Sequence, residues 1–199
     1  MASATAGPQQ APGPPTDLDS RSLPFVTAPP TVFYRVHQTA YAPIYLESHP
    51  PRYRYDDPAG GYGTLYCAAT LTAAFLETLV RNPNIQGVAA SEIAIRSYSE
   101  IQSGRELHLV DFCGAGLSRV GTDAGVSTGP YSVSRAWSAA LHQHPDKPDG
   151  IAYRSRFDPA LYCYAMFDRT QTCWSVVGTF QLTHVIATPI LTTYCKVLY

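Results

Sequence analysis

"RYRYDDPAGGYGTLYCAATLTAAFLETL", residues 52–79, runs three kinds of segment together. Residues 52–63 read as a loop punctuated by Pro58, Gly60, Gly61 and Gly63, yet the same loop carries Arg52, Arg54, Tyr53, Tyr55 and Tyr62. "TLYCAAT" (64–70) reads as a short strand. "LTAAFLETLVRN" (71–82) reads as a helix: Leu71, Ala74, Phe75, Thr78 and Leu79 share one face, Thr70 suits the N-cap, and Asn82-Pro83 ends it. A loop dense in rings and fixed positive charge therefore leads directly into a strand and a helix bearing one carboxylate, Glu77.

Upstream, "TVFYRVHQ" (31–38) alternates Val32, Tyr34 and Val36 against Phe33, Arg35 and His37, which is strand period two. The loop between, 39–63, is long for a compact domain, a length that usually accompanies function. Downstream, "VAASEIAIRSY" (88–98) and "ELHLVDF" (106–112) read as strands, and residues 113–130 as a second long loop. "SVSRAWSAALHQH" (132–144) sets Val133, Ala136, Trp137, Ala140 and Leu141 at amphipathic helix spacing. "DGIAYRSR" (149–156), "ALYCYAMFD" (160–168) and "CWSVVGTFQLTHVIATPI" (173–190) read as β-rich. Strands without a repeated β-α-β unit, with two good helices, predict an α+β fold.

The 199 residues suit one domain, with 45% apolar and 15% charged residues and a formal net charge of -1. No global field draws nucleic acid or an anionic membrane, so any anion site must be built locally. Neither nucleic-acid nor membrane binding is expected. The five cysteines, Cys67, Cys113, Cys163, Cys173 and Cys195, are odd in number, widely spaced and form no CxxC. That pattern predicts reduced thiols in a cytoplasmic protein rather than a disulfide framework or a zinc site. No basic stretch leads into an apolar run at the start, so no secretory signal is expected. Residues 1–28, rich in Pro, Ala, Gly, Gln and Ser up to about residue 23, are expected to be a disordered tail, with the folded domain spanning 29–199.

Several familiar patterns fail on inspection. Gly114-x-Gly116 follows a strand, but Arg119 stands where the third glycine of a dinucleotide fingerprint belongs. His142 and His144 lack a third ligand at matching spacing, so no metal site is expected. No G-x-S-x-G elbow is present.

Glu77 lies off the centre of its helix's apolar stripe, where a solvated carboxylate is the plainer reading and one aimed across the helix edge into a cleft the alternative. Arg35 suits an edge position, an ion pair or a ligand contact. Ser155 in "YRSR" suits a turn or a strand-end contact. Together they are more specific. Arginine forks match phosphate oxygens, a tyrosine face stacks on a flat heterocycle, and a carboxylate beside a ribose stabilises an oxocarbenium ion. NAD⁺ satisfies all these demands, and its labile bond joins nicotinamide to ribose.

"FYRVH", "RYRYDDP", "GTLYCAAT", "AAFLETL", "LVDF" and, after a helix, "DGIAYRSR" resemble in order and spacing the RES domain, over about residues 31–167. The resemblance implies an ADP-ribosyltransferase-like α+β fold and the toxin of a toxin–antitoxin pair. It implies consumption of NAD⁺ as substrate, with water or phosphate as acceptor and no metal. Modification of a protein, or nucleotide binding without catalysis, are the alternatives. It implies Glu77, Arg35 and Ser155 as catalytic residues, and Arg35, Arg54, Tyr55, Tyr66 and Ser155 as contacts to NAD⁺, with Arg52 the alternative to Arg54. It also implies an antitoxin or immunity protein that blocks the site. The segment 113–130 is longer than usual for the family, and the N-terminal tail has no counterpart in it.

Overall fold

The computed structural model describes residues 10–199. Its frame is an eight-stranded sheet in the order β1-β6-β7-β8-β3-β2-β5-β9. These strands are β1 (Phe25–Ala28), β2 (Val32–Gln38), β3 (Thr64–Ala68), β5 (Arg96–Ser103), β6 (Leu107–Phe112), β7 (Gly150–Arg154), β8 (Tyr162–Phe167) and β9 (Trp174–Gln181). β4 (Gly87–Val88) and β10 (Val197–Leu198) form a separate parallel pair. Within the large sheet β6 and β7 run parallel, and the other neighbours are antiparallel.

The register contains one weak seam. β3 meets β8 over five residue pairs and β2 meets β5 over seven, but β2 and β3 share the single pair Tyr34 with Ala68. Beyond it the two halves of the sheet part. A larger core covers one face, built from Val36, Phe75, Phe112, Trp137 and Ile151 among others. A smaller core around Phe33, Leu65, Leu109 and Met166 covers the opposite face. Helix α1 (Leu71–Leu79) lies on the first face, its Thr70 Oγ1 accepting from Ala73 N at 3.2 Å. On α5 (Tyr131–Gln143), Val133, Trp137 and Leu141 are buried as the periodicity requires, whereas Ala136 is exposed. Ser134 and Ser138 fill the buried face instead, because their hydroxyls donate to Tyr131 O and Tyr55 O.

Four expectations are corrected. Residues 88–98 are not one strand: β4 and helix α2 (Ala90–Ala94) precede β5. The segment 113–130 contains α3 (Ala115–Val120) and α4 (Gly125–Thr128), part of the crossover that parallel strands β6 and β7 require. The β-branched run after β9 folds as α6 (His184–Thr193), with Pro189 inside it and Ala187 and Leu191 buried one turn apart.

The fourth correction concerns the tail. Residues 1–9 lie outside the described residues, but 10–28 are packed. β1 pairs with β6, and Ala11, Leu18 and Leu23 are buried. Pro12 O accepts from Trp137 Nε1 at 2.8 Å and from Thr122 Oγ1 at 3.1 Å. The His144 ring donates from Nε2 to Leu18 O at 3.1 Å. A few buried anchors spaced along a proline-stiffened chain offset the ordering entropy that composition alone judged prohibitive. Leu18→Ala and Leu23→Ala will therefore each lower unfolding free energy by about 2–5 kcal/mol in urea titrations; a free tail would show no change.

Candidate active site

Where β2 and β3 part, a cleft of about 260 Å³ opens on the α1 face of the sheet. Arg35 and Cys67 follow the Tyr34–Ala68 pair on the two diverging strands, and both line it. Five arginines line this cleft, Arg35, Arg54, Arg81, Arg96 and Arg156, against one acid, Glu77. In a chain of net charge -1 this is a local concentration of positive charge. Among the described ion pairs only Arg96 of the five has a carboxylate partner, Glu92 at 2.9 Å.

Glu77 is brought into the cleft by α1, whose Ala73, Ala74, Phe75 and Leu76 are buried. Ser155, just past β7, donates its hydroxyl to Glu77 Oε1 at 2.6 Å and accepts Phe157 N at 3.2 Å. Burial raises the Glu77 pKa above the ordinary carboxylate value. The Ser155 hydrogen bond, Arg54 and Arg81 pull the other way without cancelling it. Burial likewise lowers the Arg35 pKa. The Cys67 thiol is pushed up to about 12, mainly by burial, and stays protonated; it is no nucleophile at neutral pH.

Arg54 is buried beneath the cleft's rim. Its Nη1 donates to Gly129 O at 2.8 Å, its guanidinium carbon lies 4.6 Å from the centre of the Tyr131 ring, and its buried Nη2 has no partner. Arg52 is exposed and lines no part of the cleft, so of the two only Arg54 lies at it. Tyr66 presents its ring to the cleft, packed edge-on to Tyr53 with centroids 5.6 Å apart. Its hydroxyl accepts from Tyr55 N and donates to Asp56 Oδ1.

Tyr55 is the site residue that the structure moves. It is fully buried behind the wall, where its hydroxyl meets Ser127 Oγ at 2.8 Å and its ring packs on Tyr153. It supports two lining residues rather than facing the cleft. His142 and His144 do not converge on a metal. His142 stacks on Tyr62 at 3.8 Å and meets Asp168, while His144 is buried against the N-terminal segment. Among the described residues no group of three His, Cys, Asp or Glu side chains is placed to hold a metal. All five thiols are free.

Sequence reasoning missed Asp56, which organises the loop. Its Oδ2 accepts from Arg52 N and Tyr53 N at 2.8 and 2.7 Å, and its Oδ1 accepts the Tyr66 hydroxyl at 2.8 Å. Asp57 repeats the device toward Ala59 N and Gly61 N. The paired acids before Pro58 were the available signal, an Asx-turn signature. Gly63 closes the loop where a Cβ would collide with the Leu46 carbonyl. Ser127 and Tyr131 were also missed: Ser127 lies in the segment 113–130 that was read as a loop, and Tyr131 just before the helix expected over 132–144.

Residues 32–183 match the RES domain family model, and the chain belongs to the RES domain family. Over 84 residues it is 32% identical to a Sinorhizobium fredii protein described as probable toxin y4kH, a match covering 41% of this chain and 65% of that relative's length. A chain of the crystal structure of the M. tuberculosis MbcT–MbcA toxin–antitoxin complex is similar with a TM-score of 0.64 and 14% identity, over 87% of this chain and 93% of its own. The expected α+β, ADP-ribosyltransferase-like architecture is the one found.

Asp56→Ala leaves two backbone N–H groups and a buried tyrosine hydroxyl without their acceptor, each worth about 1–3 kcal/mol where water cannot replace it. The variant should unfold at clearly lower urea concentration, with the Tyr66 environment changed in tyrosine fluorescence. Unchanged stability would show that Asp56 does not hold the loop.

Proposed function

We propose that this chain is the toxin of a toxin–antitoxin pair and that it degrades NAD⁺ by breaking the nicotinamide–ribose bond, with water or phosphate as acceptor. The observation that carries the reading is the single carboxylate of the cleft, Glu77, held by Ser155 at 2.6 Å among tyrosine rings and five arginines, of which only Arg96 has a carboxylate partner among the described ion pairs. The toxin–antitoxin wording of the two similar proteins supports the biological role. The cleft is smaller than the about 300–1,000 Å³ of drug-sized pockets, which suits the nicotinamide riboside end inside and the adenylate end across the rim.

The geometry supports the following roles. Arg54, with its free Nη2, and Arg35 take the diphosphate. The Tyr66 ring lies against nicotinamide, with its hydroxyl already committed to Asp56. As the C–N bond breaks, its electron pair leaves with nicotinamide, which departs neutral and needs no general acid. Positive charge grows on the ribose, and the ionised Glu77 carboxylate stabilises it. An oxygen of water or phosphate then bonds to the same carbon, and hydrolysis releases one proton. Ser155 positions the carboxylate by its hydrogen bond. A cognate antitoxin covers this cleft, and the cytoplasm is the proposed site of action. No described helix is long and apolar enough to cross a membrane.

Purified chain incubated with NAD⁺, with and without phosphate, should release nicotinamide together with ADP-ribose or its phosphate, resolved by mass. Glu77→Gln should lower the rate by about 100- to 1,000-fold, the usual cost of losing one transition-state electrostatic contact. Because burial raises the Glu77 pKa in the folded chain, its ionised form weakens the fold above that pKa, so the neutral glutamine should leave stability at pH 7 undiminished. A near-native rate for Glu77→Gln would rule out the role. ADP-ribose found only on a protein would favour the transferase.

The pH profile gives a second test. Catalysis requires the ionised carboxylate, so kcat/KM should fall on the acid side at a pH raised from the ordinary glutamate value. The Ser155 hydrogen bond lowers the Glu77 pKa, so Ser155→Ala should move that acid limb to higher pH. A limb that stays in place would remove Ser155 from its positioning role.

A further inference from the structure

Four residues stand side by side across the middle of the sheet. Tyr34 on β2 pairs with Ala68 on β3, Ala68 with Cys163 on β8, and Cys163 with Tyr153 on β7. All four line the cleft. Directly opposed residues on neighbouring strands share a face of the sheet, so this row is the cleft's floor. Its middle members are small and its outer members carry rings. At about 4.8 Å from strand to strand the row spans about 14 Å, with a trough over Ala68 and Cys163 between the two rings. Burial raises the Cys163 pKa, so its thiol stays protonated and the trough bears no charge of its own.

Tyr153 differs from the other hydroxyl groups around it. Those of Tyr66, Thr78 and Ser155 donate to Asp56 Oδ1, Ala74 O and Glu77 Oε1, and that of Ser127 is paired with the Tyr55 hydroxyl. The Tyr153 ring is packed on Tyr55 with centroids 4.9 Å apart, and the residue is 7% exposed. Yet its hydroxyl makes no hydrogen bond among the described residues. It is also not one of the sealed, unpartnered side-chain atoms, which belong to Arg54, Arg96 and Arg169, so it opens on the cleft. Burial holds its pKa well above the ordinary phenol value, with Cys163 and Glu77 adding to the effect, and it stays a protonated donor. A phenylalanine would pack on Tyr55 equally well. What the hydroxyl adds is one neutral hydrogen-bonding group at the end of the trough. Tyr153 lies two residues before Ser155, on the side of Glu77, whereas Tyr34 closes the row three strands away.

We propose that this row seats the nicotinamide ring and that the Tyr153 hydroxyl donates to the carbonyl of its carboxamide. The inference rests on the NAD⁺ reading and adds to it the residue that recognises the leaving group. The pyridinium ring lies over Ala68 and Cys163, with the Tyr66 ring, two residues before Ala68 on the same strand, against it. Within the trough Ala68 offers no side-chain donor and Cys163 only a weak one, so the carboxamide finds its partner in Tyr153. As the C–N bond breaks, its electron pair moves onto the ring and the carbonyl becomes a better acceptor. The hydrogen bond therefore strengthens towards the transition state.

Calorimetry on the slow Glu77→Gln chain tests the contact apart from catalysis. Adding Tyr153→Phe should raise the Kd for NAD⁺ by about 5- to 100-fold, the cost of leaving a buried carbonyl unpaired. The Kd for pyridine adenine dinucleotide, which carries hydrogen in place of the carboxamide, should not move. The thermal midpoint should not fall either, because the hydroxyl holds nothing in the fold. Equal weakening of both ligands, or of neither, overturns the inference while the NAD⁺ reading stands. Should Tyr153→Phe fail to fold, the Glu77→Gln chain alone decides: it should bind NAD⁺ more tightly than the pyridine analogue, and equal affinities overturn the proposal. A wild-type chain that neither binds nor cleaves NAD⁺ removes the reading and this inference with it.

Discussion

One cross-strand pair, Tyr34 with Ala68, joins the two halves of the sheet, and the site depends on its being alone. Had β2 and β3 continued in register, Arg35 would stand opposite Cys67 in a closed ladder. No cleft would form between the strands. Because they part, backbone groups that a sheet would satisfy give way to side chains, and the sheet's middle becomes its opening. Each half must then be stable without the other. The longer ladders, β3 with β8 and β2 with β5, supply that stability away from the seam.

Opening the sheet exposes charge to partial burial, and the burial acts in opposite directions on the two signs. It raises the pKa of Glu77 and lowers that of Arg35, so each charge is less comfortable in the fold than in water. A direct Glu77–Arg35 ion pair would relieve both, and the described ion pairs contain none. Ser155 takes the place next to Glu77 instead. A neutral donor fixes the carboxylate without neutralising its charge. Arg54 keeps its charge by leaning on Tyr131 and Gly129 O, and Arg81 and Arg156 lie over the Tyr53 and Phe157 rings.

Much of this was legible because it rests on local periodicity. The strand around Arg35, the strand–helix unit carrying Tyr66 and Glu77, and the Trp137 helix all follow from spacing. What was not legible has two physical causes. In a loop, neighbouring side chains have no fixed alternation, so nothing in "RYRYDD" says that Arg54 turns to the cleft, Tyr55 to the core and Asp56 to the backbone. Window averages also dilute sparse anchors. Ala11, Leu18 and Leu23 vanish in a proline-rich composition, yet each is buried. The β-branched residues of α6 erred in the opposite sense, because burial of Ala187 and Leu191 overrode their strand preference.

The N-terminal segment matters to the cleft through a traceable series of contacts. Pro12 O holds Trp137 on α5 and Thr122 in the crossover. The crossover supplies Val126 O and Gly129 O to Arg54, and α5 supplies Ser138 to Tyr55 O and Tyr131 to the Arg54 guanidinium. The wall behind Arg54 is thus assembled from segments far apart in sequence and tied by buried polar contacts rather than by apolar packing alone. The scaffold fixes the carbon stem of this guanidinium and leaves a donor free. Carbonyls and a ring face achieve this where a carboxylate would consume the charge. The free Nη2 of Arg54 is what remains once that scaffold is complete.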